Sequence, residues 1–340
     1  MGLRAAGSFV ARDRRQTTQG TRAVRINYRA AMKCCYHPDY QAGLTSDHPF
    51  PISKYPLLRD LLLGEGIISH GDLLEPEPIP MAAVARVHTA DYLAKLTNGS
   101  LSAAEIRRLG LPWSQALWRR SLLASGGTLL AARHALTEGL AGNLAGGTHH
   151  AFADHGEGFC VINDVAIAIR QLQAENMIGR AAVIDLDVHQ GNGTASIFAN
   201  DEAVFTFSMH GDSNYPLRKL RSSLDIGFAA NAGDAEYLAA LAQYLPAVLH
   251  KARADIALYI AGVDVAAGDL YGKLNLTDAG IRAREQRVIS AVRGAGVPLV
   301  IVLAGGYAAT RARTAQLHAH VFREAAAYES AAQMTVMAPP

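Results

Sequence analysis

Asp185, Asp187 and His189 alternate along one short stretch. On an extended backbone their side chains would therefore leave the same face. An Asp-x-His pair joined by a carboxylate from elsewhere in the chain gives three protein ligands and leaves a fourth position for water or substrate. That is the arrangement of a catalytic rather than a structural metal. The mixed oxygen and nitrogen donors suit zinc, and Fe(II), Mn and Co are compatible with the same donor types. Such an ion lowers the pKa of its water to roughly 7 and polarises a carbonyl, so the chemistry expected is hydrolysis. Three more groups offer partners: the adjacent His149 and His150, Gly262-Val263-Asp264, and Gly305-Gly306-Tyr307. Taken singly, Asp185 or Asp264 reads as an ordinary turn residue after a strand. Together with the run Asp187-Val188-His189-Gln190-Gly191-Asn192-Gly193, the set reads as a site.

Each of these groups follows a short apolar run, and those runs are the elements that must position them. Strands are expected over 33–36, 143–145, 181–188, 204–210, 256–263 and 298–304. Several are apolar almost throughout, as in parallel strands covered on both faces. Helical periodicity occupies 53–63, 90–96, 114–137, 163–175, 234–251, 279–292 and 311–326, with a start signal at Thr277-Asp278 and a stop at Gly294. Alternation of this kind predicts one α/β domain, a doubly wound, mainly parallel sheet with helices on both faces. Ligands bind such sheets beyond the carboxyl ends of the strands, which is where the His, Asp and Tyr residues fall. Gly126-Gly127 inside the long 114–137 segment either permits close helix packing or splits it. Trp113 and Trp118 read as core residues, and His210 reads equally as a site residue or a strand cap.

Composition narrows the class. The 340 residues are 50% hydrophobic and 18% charged, enough for a large core and unlike a disordered or collagenous chain. No apolar run reaches the roughly 18 residues of a membrane span. Cys34, Cys35 and Cys160 form neither a disulfide framework nor a CxxC pair, so a reducing compartment is expected. The net charge of +2 is uneven: residues 1–31 hold seven arginines and one acid, leaving 25 cationic and 29 acidic residues, net −4, in the rest. The leader reads as disordered or non-native sequence ahead of Met32, as a transit peptide, or as a basic arm for nucleic acid. The mildly acidic body argues against nucleic-acid binding and fits a cationic amine substrate. A catalytic domain is expected over 32–330 and a tail over 331–340. A cytoplasmic location follows, with organelle targeting as the alternative the leader leaves.

Several motifs in order resemble the zinc-dependent histone deacetylase family: Gly147-Thr148-His149-His150-Ala151, Gly158-Phe159-Cys160 with Asn163-Asp164, Asp185-x-Asp187-x-His189-x-Gly191, Gly262-Val263-Asp264 and Gly305-Gly306-Tyr307. The likeness runs from about Tyr36 to His320 and leaves the leader without a counterpart. The Gln190-Gly191-Asn192-Gly193 wording is similar to the class IV branch and its bacterial relatives. The resemblance implies an arginase/deacetylase-like fold and hydrolysis of an N-acyl amide on protein lysine or on a small acylated amine. It implies Asp187, His189 and Asp264 as zinc ligands, His150 as general base, His149 with Asp185 as support, and Tyr307 as donor to the oxyanion. It further implies Gly158 and Phe159 as one wall of an acyl-lysine channel, with Tyr215 as a candidate for the opposite wall. A structural potassium ion would use Asp185, Ser208 and the Met209 carbonyl.

One position departs from the family pattern. Many members carry a carboxylate where this chain has Asn192, behind the base. Without that negative partner the imidazolium of His150 is less favoured, so Asn192→Asp is expected to move the lower limb of the pH–rate profile upward. Two other readings stay in play: an arginase-like hydrolase, which would need a second ligand cluster, and a catalytically silent acyl-lysine binding module.

Overall fold

The computed structural model describes residues 32–41, 44–45 and 48–337, so the arginine-rich leader and the expectations attached to it lie outside the described residues. Among the described residues, eight strands form a single sheet in which every pairing is parallel. They are β1 (Lys33–Cys35), β2 (Leu73–Leu74), β3 (Leu140–Asn143), β4 (Ala181–Asp185), β5 (Val204–Gly211), β6 (Leu224–Phe228), β7 (Ile256–Ile260) and β8 (Leu299–Val302). The order across the sheet is β2-β1-β3-β8-β7-β4-β5-β6. Strands β3, β4, β7 and β8 are buried at every position; β7 and β8 read as apolar runs throughout and β4 as far as Asp185, whereas β3 (Leu-Ala-Gly-Asn) lies three residues ahead of the expected 143–145 because Gly142 and Asn143 interrupt its apolar pattern.

The described residues form ten α-helices: α1 (Lys54–Gly64), α2 (Met81–Val84), α3 (Ala90–Asn98), α4 (Ala103–Leu109), α5 (Gln115–Glu138), α6 (Asp164–Ala174), α7 (Asn192–Ile197), α8 (Asp234–Ala252), α9 (Asp278–Gly294) and α10 (Arg311–Met337). Helices α1, α10, α9 and α8 pack in succession as one layer, while α5 and α6 pack together in another. The helix α5 runs unbroken through Gly126-Gly127. A Cβ at Gly126 would overlap the Glu77 carbonyl, so close packing is what the pair serves. Trp118 is buried in α5, whereas Trp113 precedes the helix, half-buried, with its Nε1 donating to the Leu96 carbonyl at 3.0 Å. The last helix continues to Met337, into the stretch expected as a tail. No helix among the described residues is long and apolar enough to cross a membrane.

A buried arginine ties the sheet to the loops that carry chemistry. Arg284 on α9 is fully buried and donates through Nη1 to the carbonyls of Leu186 (3.0 Å) and Gly262 (2.8 Å), and through Nη2 to Glu285 Oε1 (2.5 Å). Those carbonyls belong to the segments leaving β4 and β7. Arg284→Met leaves the Glu285 carboxylate buried with only the Tyr259 hydroxyl as partner. It is expected to lower stability by about 3 kcal/mol, read as a reduced urea midpoint.

Candidate functional site

The loops that follow β3, β8, β7 and β4 carry His149 and His150, Tyr307, Asp264, and Asp187 with His189, respectively, and these four strands are neighbours in the sheet. Their carboxyl ends therefore converge on one rim. A cavity of about 500 Å³ opens there, lined by His149, His150, Asp187, His189, Tyr307, Gly158, Phe159 and Tyr215. Asp185 and Asn192 stand behind the histidines, each within hydrogen-bond reach of one ring. The β3 loop turns sharply through Gly146 and Gly147, whose φ values of +81° and +76° suit only glycine without strain. Asp164 at the start of α6 clamps that turn, accepting from the Gly147 and Thr148 amides at 3.1 and 2.8 Å.

Asp187, His189 and Asp264 come together as expected, with one donor atom from each within 4.8 Å of the others. The local backbone differs from the sequence reading. Strand β4 ends at Asp185, whose Oδ1 accepts the Asp187 amide at 3.2 Å and turns the chain out of the sheet. The expected strand to residue 188 is thus too long, and the three alternating side chains do not share one strand face. Asp185 goes to His149, while Asp187 and His189 meet Asp264.

The donor set fits a divalent ion. His189 Nδ1 lies 3.0 Å from Asp187 Oδ1 and 3.1 Å from Asp264 Oδ2, near the roughly 3.3 Å between corners of a tetrahedron with arms of about 2.0 Å. Both carboxylates are fully buried, an arrangement that demands positive charge. Burial and the Asp187 charge push the Asp264 carboxyl up to about 7. His189, despite burial, is pushed up to about 10 by its bonds to both carboxylates. Backbone amides aim the remaining carboxylate oxygens: Gly305 donates to Asp187 Oδ2 at 2.7 Å and Val188 to Asp264 Oδ1 at 2.9 Å. A Cβ at Gly305 would overlap Asp264 Oδ2, so only glycine allows the β8 loop this close.

The two adjacent histidines have opposite surroundings. His149 Nδ1 sits 2.7 Å from Asp185 Oδ2, and its Nε2 faces Asp187 at 3.9 Å. Burial opposes its charge, but Asp185 and Asp187 raise its pKa to about 9, which favours the imidazolium. His150 Nδ1 meets the neutral Asn192 Oδ1 at 2.7 Å. Burial first, then the charges of His149 and His189, drive its pKa well below 6.5. The pair thus splits into a fixed cation and a neutral base, the separation that acid–base chemistry needs.

Tyr307 is buried, with its amide donating to Asp269 Oδ2 at 2.6 Å, and burial keeps its hydroxyl protonated. Phe159 stands on the Tyr307 side, with ring centroids 6.1 Å apart. Tyr215 stands on the other, 5.0 Å from His150 and 6.4 Å from His189. Gly158 lies against His150, where a Cβ would press on the ring. The residues of the potassium expectation are also gathered: Ser208 is the register partner of Asp185 on β5, followed by the buried Met209. The Ser208 hydroxyl is engaged with His210 Nδ1 at 2.8 Å, which makes His210 a partner of the strand end and not a lining residue of the cavity.

Sequence reasoning missed four residues around this site. Asp164 appeared only as part of a motif, and Asp269, Lys54 and Glu157 not at all. Lys54, buried at the start of α1, donates to the Ala304 carbonyl at 2.6 Å, and burial brings its pKa down to about 8. Glu157 accepts from Asn192 and from Tyr215. No local pattern signals these roles, because each partner lies tens to hundreds of residues away.

Comparison with known proteins bears on this arrangement directly. Residues 48–324 match the family model described as the histone deacetylase domain. An uncharacterized protein of Picosynechococcus sp. is 46% identical over 273 residues, covering 80% of this chain and 91% of that protein. Histone deacetylase 2 of Arabidopsis thaliana is 30% identical over 284 residues, covering 80% and 72%. The crystal structure of the HDA15 HD domain superposes with a TM-score of 0.73 at 22% identity, covering 88% of this chain and 89% of that one, and shares the fold. With a family match over most of its length and its strand-end motifs gathered at one rim, the chain belongs to the histone deacetylase family.

Proposed function

We propose that the protein is a zinc-dependent amidohydrolase that removes acyl groups from lysine side chains of proteins. The observation that carries this reading is the buried Asp187, His189 and Asp264 cluster at a cavity that His150 and Tyr307 also line. Family membership supports a deacetylase hydrolase, and the donor set supports zinc. When bound, the ion supplies Lewis-acid polarisation of the acyl carbonyl and makes an attacking water more acidic. His150 accepts a proton from that water at Nε2 as the C–O bond forms, and then delivers it to the amine as the C–N bond breaks. The His149 imidazolium adds positive charge beside the developing oxyanion, and the Tyr307 hydroxyl donates to that oxygen. Phe159 and Gly158 on one side and Tyr215 on the other flank the acyl-lysine stem. A potassium ion held by Asp185, Ser208 and the Met209 carbonyl belongs to the same reading, as a support for His149. Residues 32–330 act as one catalytic domain.

The rim favours a protein substrate over acetylpolyamines. Tyr215, Leu217 and Tyr271 line the mouth and are exposed, Leu217 almost completely, and Arg108 and Lys273 line it too. An apolar collar with two cations suits a peptide surface better than a free polycation. A silent binding module would have no use for a neutral base and a protonated tyrosine beside the metal ligands.

The test is turnover of a fluorogenic acetyl-lysine peptide by zinc-reconstituted protein, with acetyl to myristoyl lysine peptides and acetylpolyamines in parallel. Hydroxamate-sensitive turnover of lysine peptides is expected, and Tyr307→Phe should lower kcat about 10²- to 10³-fold at full zinc content. Zinc-loaded protein that turns over none of these acyl substrates would overturn the reading.

A further inference from the structure

We propose that Glu157 is the positioning residue that sets the tautomer of His150, acting through the side-chain amide of Asn192, and that the same carboxylate oxygen holds the Tyr215 wall. The inference deepens the preceding reading and rests on His150 being the base. An asparagine behind a histidine is ambiguous: its amide can offer the ring nitrogen either an oxygen or an NH₂, and each choice selects a different tautomer. Only a ring whose Nδ1 carries the proton leaves Nε2 free to accept one. Some other group must therefore decide which way Asn192 faces.

Glu157 is that group. Its Oε1 accepts from Asn192 Nδ2 at 2.5 Å and from the Tyr215 hydroxyl at 2.6 Å, while Oε2 faces His155 Nε2 at 3.6 Å. An ionised carboxylate only accepts, so Asn192 must present its NH₂ there and its oxygen to His150. Burial raises the Glu157 carboxyl, but the donors from His155, Tyr215 and Asn192 more than offset this and keep it ionised. The ring then donates Nδ1–H to Asn192 Oδ1 at 2.7 Å and directs a bare Nε2 to the cavity. The Gly193 amide also donates to Asn192 Oδ1, at 3.1 Å, and supports the same orientation from the other end of the side chain, so removing Glu157 should weaken the preference without reversing it. Tyr215 stands 5.0 Å from His150, so one oxygen anchors both the channel wall and the base.

The structure also changes the expectation for Asn192→Asp. That substitution would set a second carboxylate against Glu157, and its loss of activity should be relieved when Glu157→Gln is added, because a glutamine can donate where the glutamate cannot. The experiment compares wild type, Glu157→Ala, Glu157→Gln, Glu157→Asp, Asn192→Asp and the Asn192→Asp/Glu157→Gln double variant, all loaded with zinc. The readouts are the ¹⁵N signals of His150 in ¹⁵N-histidine-labelled enzyme and steady-state kinetics on the acetyl-lysine peptide. Glu157→Ala should mix the two tautomers and lower kcat roughly 10- to 100-fold, with Glu157→Asp recovering part of both. The double variant should exceed Asn192→Asp alone.

A Glu157→Ala enzyme that keeps a pure Nδ1–H signature, or a double variant no better than Asn192→Asp, would overturn the proposal. Should Glu157→Ala fail to fold, the signals of Glu157→Gln and the double variant decide it. The nitrogen spectrum needs no turnover. A tautomer shift without deacylation by the wild type would thus sink the proposed function and spare this inference.

Discussion

Asp264→Asn is expected to empty the metal site, lower kcat/KM by about 10³-fold or more, and at the same time make the metal-free protein less sensitive to rising pH. The first two effects follow from losing one of three donors that meet within 4.8 Å. The third comes from the crowding of two buried carboxylates. In the metal-free fold, burial and Asp187 raise the Asp264 carboxyl from 3.8 to about 7. The folded state therefore holds a proton that the unfolded chain has released, and stability falls as pH rises across the window from about 4 to 7. His189 has the same sign in a higher window: its folded pKa of about 10 contributes stability that is complete below about 6.5 and lost as pH rises toward 10. Asparagine keeps the acceptor for the Val188 amide, at 2.9 Å in the wild type, yet has no proton to release. With chelator present, the wild type should lose on the order of a few kcal/mol between pH 4 and 7, and the variant clearly less. Urea midpoints at both pH values and metal content by mass spectrometry check this. Equal pH slopes for the two proteins would show that Asp264 is not the strained group. Full metal content in the variant would remove it from the ligand set.

The same crowding explains why so much of the site is legible in the amino-acid sequence. Buried carboxylates and imidazoles can be tolerated only where backbone donors and strand ends converge, and in a parallel sheet that place follows directly from the apolar runs. The runs leading to Asp185, Ile260 and Val302 are apolar because both faces of those strands are covered, while β3, with Gly142 and Asn143 in it, starts three residues before the stretch its pattern suggests. The edges are not legible. Strand β2 has only two residues, and β6 reads Leu-Asp-Ile-Gly-Phe, with too little apolar continuity to stand out. The overlong reading of β4 has a definite cause as well. Leu186 and Val188 are fully buried and continue the apolar pattern, while Asp185 has already bent the backbone away. Residues that act by reaching across the fold give no signal: Glu157 meets Asn192, and Lys54 meets Ala304. Motif spacing records what a segment does locally, and these contacts depend on how distant loops are stacked.

His150→Ala is expected to lower kcat by about 10³- to 10⁴-fold while leaving zinc content and KM for the acetyl-lysine peptide near wild type. The size follows from what His150 alone can do. His149 is held as an imidazolium by Asp185, at 2.7 Å, and by Asp187, so at neutral pH it has no lone pair with which to take a proton. His189 is committed to the metal cluster with Asp187 and Asp264. That leaves His150 as the neutral imidazole at the cavity, its pKa lowered chiefly by burial and then by the charge of His149 beside it. Its low pKa sets the pH dependence. Because protonation is pushed well below 6.5, activity should persist on the acid side of that value until another group, such as the metal ligands, titrates. Adding imidazole to His150→Ala should restore part of the rate, since the vacated space adjoins the cavity and the proton transfer needs only a base at that point. His149→Ala, by contrast, removes charge rather than a proton acceptor, and imidazole should not rescue it. Rescue of His149→Ala and not of His150→Ala would exchange the two roles. A His150→Ala enzyme within tenfold of wild type would show that the proton moves by another route.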